Sequence, residues 1–173
     1  MGSQVLSGFS VREANSNDNA AIKEICKLSF GPIYRYFAVQ SLKSEGPVFV
    51  SGANGVVEGF TKLVQSQIGN CTVGDILWLA VQPGSRRKNV ASNLIATSVS
   101  YFENHGIRRV YVSTGYRNKP AIALFQRNGF YKISFHDLKK IYGRNILRFY
   151  SEFWVAPTEV ILMHGESLNG LKL

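Results

Sequence analysis

The stretch LAVQPGSRRKNVASNLI, residues 79–95, joins an apolar, strand-like run to a segment with helical periodicity. Pro83 ends the apolar run, and three consecutive basic residues at 86–88 stand where the helix begins. The positive end of a helix dipole favours anions at this place, and the unpaired N–H groups of a first helical turn suit a phosphate. We therefore interpret this stretch as a turn that binds an anion, with the amides of residues 87–92 as its cradle.

Length and composition limit what this turn can belong to. The chain has 173 residues, of which 45% are hydrophobic and 12% aromatic, which predicts a single domain with one sizeable core. Lys and Arg number 20 against 11 Asp and Glu, so the formal net charge is +9. Such a charge favours an anionic partner: nucleic acid, a phosphorylated cofactor or an acidic surface. Charge alone does not choose among them.

Cysteine usage and apolar runs bear on the compartment. The two cysteines, Cys26 and Cys71, are far apart and lack metal-ligand spacing, so we expect no disulfide framework, no zinc site and no other metal. The first residues lack the layout of a secretory signal, and no run reaches the roughly 18 apolar residues that span a membrane. These patterns predict a soluble cytoplasmic protein with no membrane partner.

Element patterns along the chain predict an α+β fold with a mixed, mostly antiparallel central sheet flanked by helices. The predicted elements are a strand in FSVREA, a helix capped by Asn17 or Asp18, a helix after Pro32, strands in PVFVSG, VVEGFTKLVQSQ and TVGDILWLAV, a helix from Ser85 to Gly106, a strand in RRVYVST, and a helix in KPAIALFQRNGF. YKISFHDLKKIY and ILRFYSEFW are predicted as two strands around the turn GRN. Residues 155–173 are predicted as a C-terminal extension whose TEVILMH segment adds an edge strand or supports a homodimer.

Two groups of residues resemble the motifs of a known family. Val81, Pro83, Arg86, Asn89 and Ala91 read V-x-P-x-x-R-x-x-N-x-A, which resembles the acetyl-CoA signature R/Q-x-x-G-x-G/A of the GNAT superfamily of N-acetyltransferases. The run N-x-x-A-x-x-L-F-x-x-x-G-F, residues 118–130, is similar to the second motif of that family. The order of the predicted elements matches the GNAT fold over about residues 10–154. The resemblance implies an enzyme that transfers acetyl from acetyl-CoA directly to an amine in a ternary complex.

The resemblance also implies a set of cofactor-binding residues. These are Leu79, Ala80 and Val81 through their backbone, the cradle residues Arg86, Arg87, Lys88, Asn89, Val90, Ala91 and Ser92, and Asn118, Ala121, Phe125 and Arg127 from the second motif. Asn89 replaces the usual glycine, whose missing Cβ lets the backbone approach a phosphate. We expect binding to survive, because the Asn amide can itself donate to a phosphate oxygen. Asn118 is open to two roles, a cofactor contact and a plain helix cap.

Catalytic roles follow from the same resemblance. The Leu79 N–H is expected to stabilise the oxyanion of the thioester carbonyl. Asp75, six residues before Val81, matches the general base of some relatives, although a turn role is equally open to it. Glu58 is the second candidate base. Many relatives carry a tyrosine at the position of Phe125, and its hydroxyl can protonate the leaving thiolate. Because phenylalanine cannot do so, Tyr131 or water is expected to supply the proton.

The acceptor stays open at this point between a small molecule, a protein N-terminus and a lysine. The aromatic and basic character of FGPIYRYFAVQ and KKIYGRN favours an acceptor that carries a carboxylate, or a protein N-terminus. Two other classes of function compete. The departures at Asn89, Ser113 and Phe125 suit a GNAT-like protein that binds acetyl-CoA without turnover. The basic residues suit a nucleic-acid-binding module, but no recognised nucleic-acid motif accompanies them.

Overall fold

The computed structural model describes residues 10–53, 55–153 and 155–166, and these residues form seven strands and six α-helices. The strands are β1 (Ser10–Glu13), β2 (Val48–Ala53), β3 (Val56–Ile68), β4 (Cys71–Val81), β5 (Arg109–Gly115), β6 (Tyr131–Ile133) and β7 (Glu159–Gly165). The helices are α1 (Asn19–Ser29), α2 (Pro32–Ser41), α3 (Val90–Asn104), α4 (Lys119–Arg127), α5 (Phe135–Tyr142) and α6 (Ile146–Glu152). None of these described helices is long and apolar enough to cross a membrane.

The strands form one sheet in the order β1-β2-β3-β4-β5-β7-β6. Antiparallel pairs join β1 to β2, β2 to β3, β5 to β7 and β6 to β7. The pair formed by β4 and β5 is parallel. The predicted fold class, a mixed and mostly antiparallel sheet with flanking helices, is therefore confirmed.

The described residues divide into two compact units, one within Met1–Lys62 and Trp78–Thr97, the other within Leu63–Leu77 and Ser98–Leu173. In the first unit, Ile22, Ile25 and Cys26 follow one another at helical spacing on α1 and are buried against sheet residues such as Phe60. Burying this stripe removes apolar surface from water, which is the main stabilising contribution to such a unit.

The start of α1 differs from the prediction. Asn15, rather than Asn17 or Asp18, provides the capping side chain, and it caps a short 3-10 turn, Ser16–Asp18, that precedes the helix. Asp18 stands at the N-cap of α1 without a side-chain capping hydrogen bond. Its carboxylate instead pairs with Arg12 at 2.7 Å and accepts the Asn15 N–H at 2.8 Å.

The second unit has an aromatic core, and it corrects the prediction for residues 131–152. The predicted strand, turn and strand are in fact the short β6 followed by α5 and α6. Ser134 and Asp137 form a capping box that starts α5. In α6 and just after it, Ile146, Phe149 and Phe153 are buried at a spacing of three and four residues, which is helical.

The C-terminal strand also corrects a prediction. The strand in TEVILMH exists as β7, but it pairs with β5 from Arg109↔Gly165 to Gly115↔Glu159 and with β6 on its other side. It is therefore an interior strand, and the strand at this end of the sheet is β6. The predicted fold core, which ended at residue 154, is too short because β7 completes this part of the sheet.

Candidate active site

The end of β4 leads into the turn that the sequence singled out. β4 pairs with β5 at Gly74↔Val110 and Asp75↔Tyr111, and β4 continues beyond these pairs to Val81. A 3-10 turn, Pro83–Ser85, follows, and α3 begins only at Val90. The predicted helix start at Ser85 is thus five residues too early. The basic residues at 86–88 lie in the connection before the helix rather than in its first turn.

We call residues 86–89 the anion cradle; residues 90–92, which the prediction included, already lie in α3. Its residues 86–89 are exposed, whereas the residues that flank them are buried: Ser85 is 2% exposed and Val90 is 1% exposed. The Arg86 Nε donates to the Val81 carbonyl at 3.2 Å, so this guanidinium is held at the end of β4. The cradle is therefore an exposed, positively charged segment between two fixed points.

Two residues of the anion cradle have a left-handed backbone. Arg87 and Asn89 both have φ of 63°. Asn tolerates this conformation better than most residues, and a long side chain such as Arg seldom adopts it. Each such residue costs on the order of 1–3 kcal/mol, and such conformations cluster at functional sites. The dihedral angle gives a second reason for the glycine of the family motif at position 89, beyond close approach to a phosphate.

The turn before the anion cradle is held by strand β3. The Ser85 hydroxyl donates to Glu58 Oε1 at 2.7 Å and accepts from Gln82 Nε2 at 3.1 Å. The Gln82 N–H donates to the Glu58 carbonyl at 2.8 Å. Glu58 Oε2 is buried without a hydrogen-bond partner among the described residues. Of the two predicted bases, Glu58 is thus committed to the turn, a connection that sequence reasoning missed.

Glu58 owes its position to a β-bulge. The register of β2 and β3 runs from Ser51↔Gly59 to Gly52↔Val57, so Glu58 is the extra residue on β3. Bulges of this kind redirect a side chain and are frequent beside active sites. Gly52 is required here, because a Cβ atom at this residue would lie 1.8 Å from the Val56 carbonyl oxygen. The bulge therefore turns Glu58 towards the turn at Ser85.

The apolar side chains of the predicted cofactor strand pack against the start of α3. Leu79 and Val81 belong to one cluster with Val90, Leu94 and the partly buried Ala91. Ala80 packs in the core of α1 and α2 instead. Side chains of these residues therefore serve packing, as expected, and their backbone roles towards acetyl-CoA stay predictions.

Asp75, the first candidate base, is buried in the second unit at 4% exposure. Burial raises its pKa well above the usual value for Asp, and the negative charge of Glu159 raises it further. Glu159 Oε2 accepts the Ser113 hydroxyl at 3.0 Å and the Ala156 N–H at 3.1 Å. A carboxylate from β7 therefore accepts a hydrogen bond from the side chain of Ser113. No local sequence pattern signals this contact, because Glu159 is 46 residues from Ser113 in the chain.

Tyr131, the candidate acid, lies on β6 in the aromatic part of the second unit. Its hydroxyl oxygen is buried and has no hydrogen-bond partner among the described residues. Burial is the largest cause that raises its pKa, Arg109 lowers it and Asp137 raises it. A raised pKa makes the hydroxyl a weaker acid. The structure thus offers a phenol without a partner, but an unfavourable one for donating a proton.

The second motif forms α4. The Asn118 Oδ1 accepts the Ala121 N–H at 3.4 Å and its Nδ2 donates to Thr114 Oγ1 at 3.1 Å, so Asn118 is a helix cap. Phe125 is buried and packs edge to face on Phe130 at 5.2 Å. Arg127 is exposed. The cap role is present, and cofactor contacts of this motif stay predictions.

The cysteines give no candidate nucleophile. Cys26 is buried in α1, and burial raises the pKa of its thiol to about 11, so the reactive thiolate is scarce near neutral pH. Cys71 is the first residue of β4. Direct transfer without a covalent acetyl-enzyme stays a prediction.

Comparison with known proteins places the chain in a family. The sequence profile described as the acetyltransferase (GNAT) family matches residues 21–130, which is more than half of the chain. The chain belongs to the GNAT family of acetyltransferases. The predictions of this family and of an N-acetyltransferase enzyme are confirmed.

Individual relatives agree with this family. An N-alpha-acetyltransferase from Saccharolobus solfataricus is 28% identical over 136 residues, which cover 72% of this chain and 81% of the relative. A GNAT family acetyltransferase from Elizabethkingia anophelis, solved with acetyl-CoA bound, has a TM-score of 0.68 and 14% identity over 92% of this chain and 99% of its own. The ribosomal-protein-S18-alanine N-acetyltransferase from Escherichia coli has a TM-score of 0.65 and 16% identity, covering 95% and 98% of the two chains. At these identities, the two solved structures support the fold alone.

Proposed function

We propose that this enzyme transfers the acetyl group of acetyl-CoA to the α-amino group of a protein or peptide N-terminus. The observation that carries the choice of acceptor is the similarity, over most of both chains, to a relative named N-alpha-acetyltransferase. An α-amine is therefore preferred over the lysine and small-molecule acceptors that the sequence left open.

The anion cradle fits the diphosphate of acetyl-CoA. Its exposed residues carry the positive charges of Arg86, Arg87 and Lys88, and it leads directly into the first turn of α3. Backbone amides and arginines together suit a diphosphate better than either alone. In this proposal, the backbone of β4 up to Val81 holds the pantetheine arm. Asn118, Ala121, Phe125 and Arg127 stay secondary candidates for the rest of the cofactor.

The reaction is a direct acyl transfer in a ternary complex. The neutral amine attacks the thioester carbonyl, the C–S bond breaks, and the amine loses one proton while the thiolate gains one. We assign the proton of the amine to Asp75 through a bridging water, because a raised pKa makes its carboxylate a stronger base. The Leu79 N–H is assigned to the developing oxyanion. Tyr131 or water returns the proton to sulfur.

Two matched peptide pools test the acceptor. The first has free α-amines of varied first residue and no lysine; the second has acetylated N-termini and one lysine. After incubation with acetyl-CoA, we expect mass spectrometry to find one added acetyl group per molecule in the first pool only. Acetylation of the lysine pool alone would contradict the proposal.

A second candidate function is acetyl-CoA binding without turnover. Two observations favour it: the buried Asp75, whose raised pKa keeps it protonated to higher pH, and Phe125, which lacks the hydroxyl of a general acid. In that case calorimetry shows saturable binding of acetyl-CoA, while no CoA is released in the presence of either peptide pool or of small amines. Predictions of a cytoplasmic location, a homodimer and a single domain stay predictions from the sequence.

A further inference from the structure

Strand β3 contacts the anion cradle at both of its ends. Glu58 bonds the turn before it, and Gly59 lies against Val90, where α3 begins. We propose that Glu58 is a positioning residue for the diphosphate of acetyl-CoA, which it never touches: it fixes the turn from which the anion cradle starts. This inference rests on the proposed function, and it assigns Glu58 a role different from that of a general base.

The first end is fixed by hydrogen bonds. Ser85 is almost fully buried, accepts from Gln82 and donates to Glu58 at 2.7 Å, so its hydroxyl has both a donor and an acceptor. Hydrogen bonds to an ionised carboxylate are stronger than those between neutral groups. The backbone of Gln82 is bound to the same glutamate through the Glu58 carbonyl. One residue therefore holds two points of the turn.

The second end is fixed by close packing. A Cβ atom at Gly59 would lie 2.9 Å from Val90 Cγ1, 3.0 Å from Val81 Cγ2 and 3.1 Å from the Ala80 carbonyl oxygen. Only glycine leaves room for this contact without a shift of the neighbours. Consecutive residues of the bulged strand thus hold the segment before and after the exposed residues 86–89.

The exposed part of the anion cradle needs such fixed ends. Arg87 and Asn89 are left-handed, and strained conformations persist only where the surrounding structure determines them. If the turn at Ser85 moves, the amides and guanidinium groups no longer point at one place. Burying Glu58 Oε2 without a described partner is costly. The retention of a carboxylate here fits a need for its strong hydrogen bond to Ser85.

A pair of acetyl donors distinguishes positioning from catalysis. Acetyl-CoA carries the diphosphate, whereas acetyl-pantetheine offers the same thioester without it. For Glu58→Ala and Ser85→Ala, we expect KM for acetyl-CoA to rise about tenfold, because each variant loses one charge-assisted hydrogen bond. We expect kcat to stay within about twofold of the wild-type value. For acetyl-pantetheine, kcat/KM should be unchanged. Glu58→Gln keeps a neutral acceptor for Ser85, which is weaker than the carboxylate, so its KM should fall between those of wild type and Glu58→Ala.

Glu13→Ala is the matched control, because Glu13 is an exposed glutamate on β1 of the same unit. Equal KM values for Glu58→Ala and Glu13→Ala would overturn the proposal. So would an equal loss with both donors, which indicates a base or a general structural role, or a Glu58→Gln variant as impaired as Glu58→Ala. Should Glu58→Ala not fold, Ser85→Ala removes only the hydroxyl and decides the question alone.

Failure of the proposed function has a different signature. In that case the wild-type enzyme acetylates no peptide N-terminus from acetyl-CoA, whether or not calorimetry shows that it binds CoA. If only the role of Glu58 is wrong, the wild-type enzyme remains active. The variants then fail to show the expected difference in kcat/KM between acetyl-CoA and acetyl-pantetheine. The two results cannot be confused.

Discussion

Asp75 and Glu58 are both carboxyl side chains on the sheet, and both were candidate bases, but their surroundings differ. Asp75 is buried close to the negative charge of Glu159, and both effects raise its pKa. Glu58 accepts the hydroxyl of Ser85 and, through its carbonyl, the N–H of Gln82. A carboxyl group whose pKa is raised is a stronger base once it is deprotonated, whereas one bound by donors positions its neighbours. The comparison therefore separates a chemical role from a positioning role.

Replacing Asp75 gives the largest expected effect on this comparison. We expect Asp75→Asn to lower kcat by about 100-fold or more, which is typical for the loss of a general base, with KM for acetyl-CoA within about twofold. Steady-state kinetics that follow the acetylation of a peptide N-terminus measure both constants. A kcat within about threefold of wild type would remove Asp75 from the mechanism.

Thermal stability measurements show whether a loss of activity in Asp75→Asn results from misfolding. Because the pKa of Asp75 is raised in the folded state, the folded protein binds more protons than the unfolded one between the two pKa values. The free energy of unfolding therefore falls as pH rises from the pKa of Asp75 in the unfolded state to its pKa in the folded state. Asp75→Asn removes this ionisation, so its Tm at pH 8 should be at least that of wild type. Glu13→Gln serves as the exposed control.

The left-handed residues of the anion cradle test the positioning side of the comparison. Asn89→Ala should weaken acetyl-CoA about tenfold, because a Cβ-bearing residue without a polar amide costs about 1–2 kcal/mol in this conformation. Asn89→Gly should bind as tightly as wild type or more tightly, since glycine adopts it freely. Calorimetric Kd values decide. Equal weakening by both variants would show that the Asn amide, not the backbone, is what matters.

A smaller effect concerns the pH dependence of the reaction. We expect kcat/KM to rise with pH along an ionisation above the usual range for Asp, because Asp75 acts only when deprotonated. Glu159→Gln removes a negative charge that raises this pKa, so the midpoint should move to lower pH. An unchanged midpoint would show that Glu159 does not influence the ionisation of the base.

Much of the fold was readable from local pattern, because α3 and α4 carry apolar residues at helical spacing and β2 to β5 lie in segments rich in apolar and β-branched residues. Residues 131–152 were misread, since YKISFHDLKKIY is rich in β-formers. The capping box of Ser134 and Asp137 and the helical spacing of Ile146, Phe149 and Phe153 were the overlooked signals. The place of β7 between β5 and β6 was not readable, because strand order depends on pairings between distant segments.

The site residues also differ in whether local sequence patterns predict them. The anion cradle was predicted because its charges and helix start are adjacent in sequence. The bond of Glu58 to Ser85 spans 27 residues and that of Glu159 to Ser113 spans 46, so neither leaves a local pattern. The left-handed φ of Arg87 was equally hidden, because Arg is not a residue that signals such a turn.

Calorimetric titration with acetyl-CoA tests the central claim most directly, using wild type, an Arg86→Ala, Arg87→Ala double variant and an Arg117→Ala, Lys119→Ala control. The control removes two exposed basic residues at the start of α4. We expect saturable binding by wild type and control, and binding weakened about 100-fold or more in the double variant, as two charge-assisted hydrogen bonds imply. Absence of binding by wild type, or equal binding by all three proteins, would contradict the account.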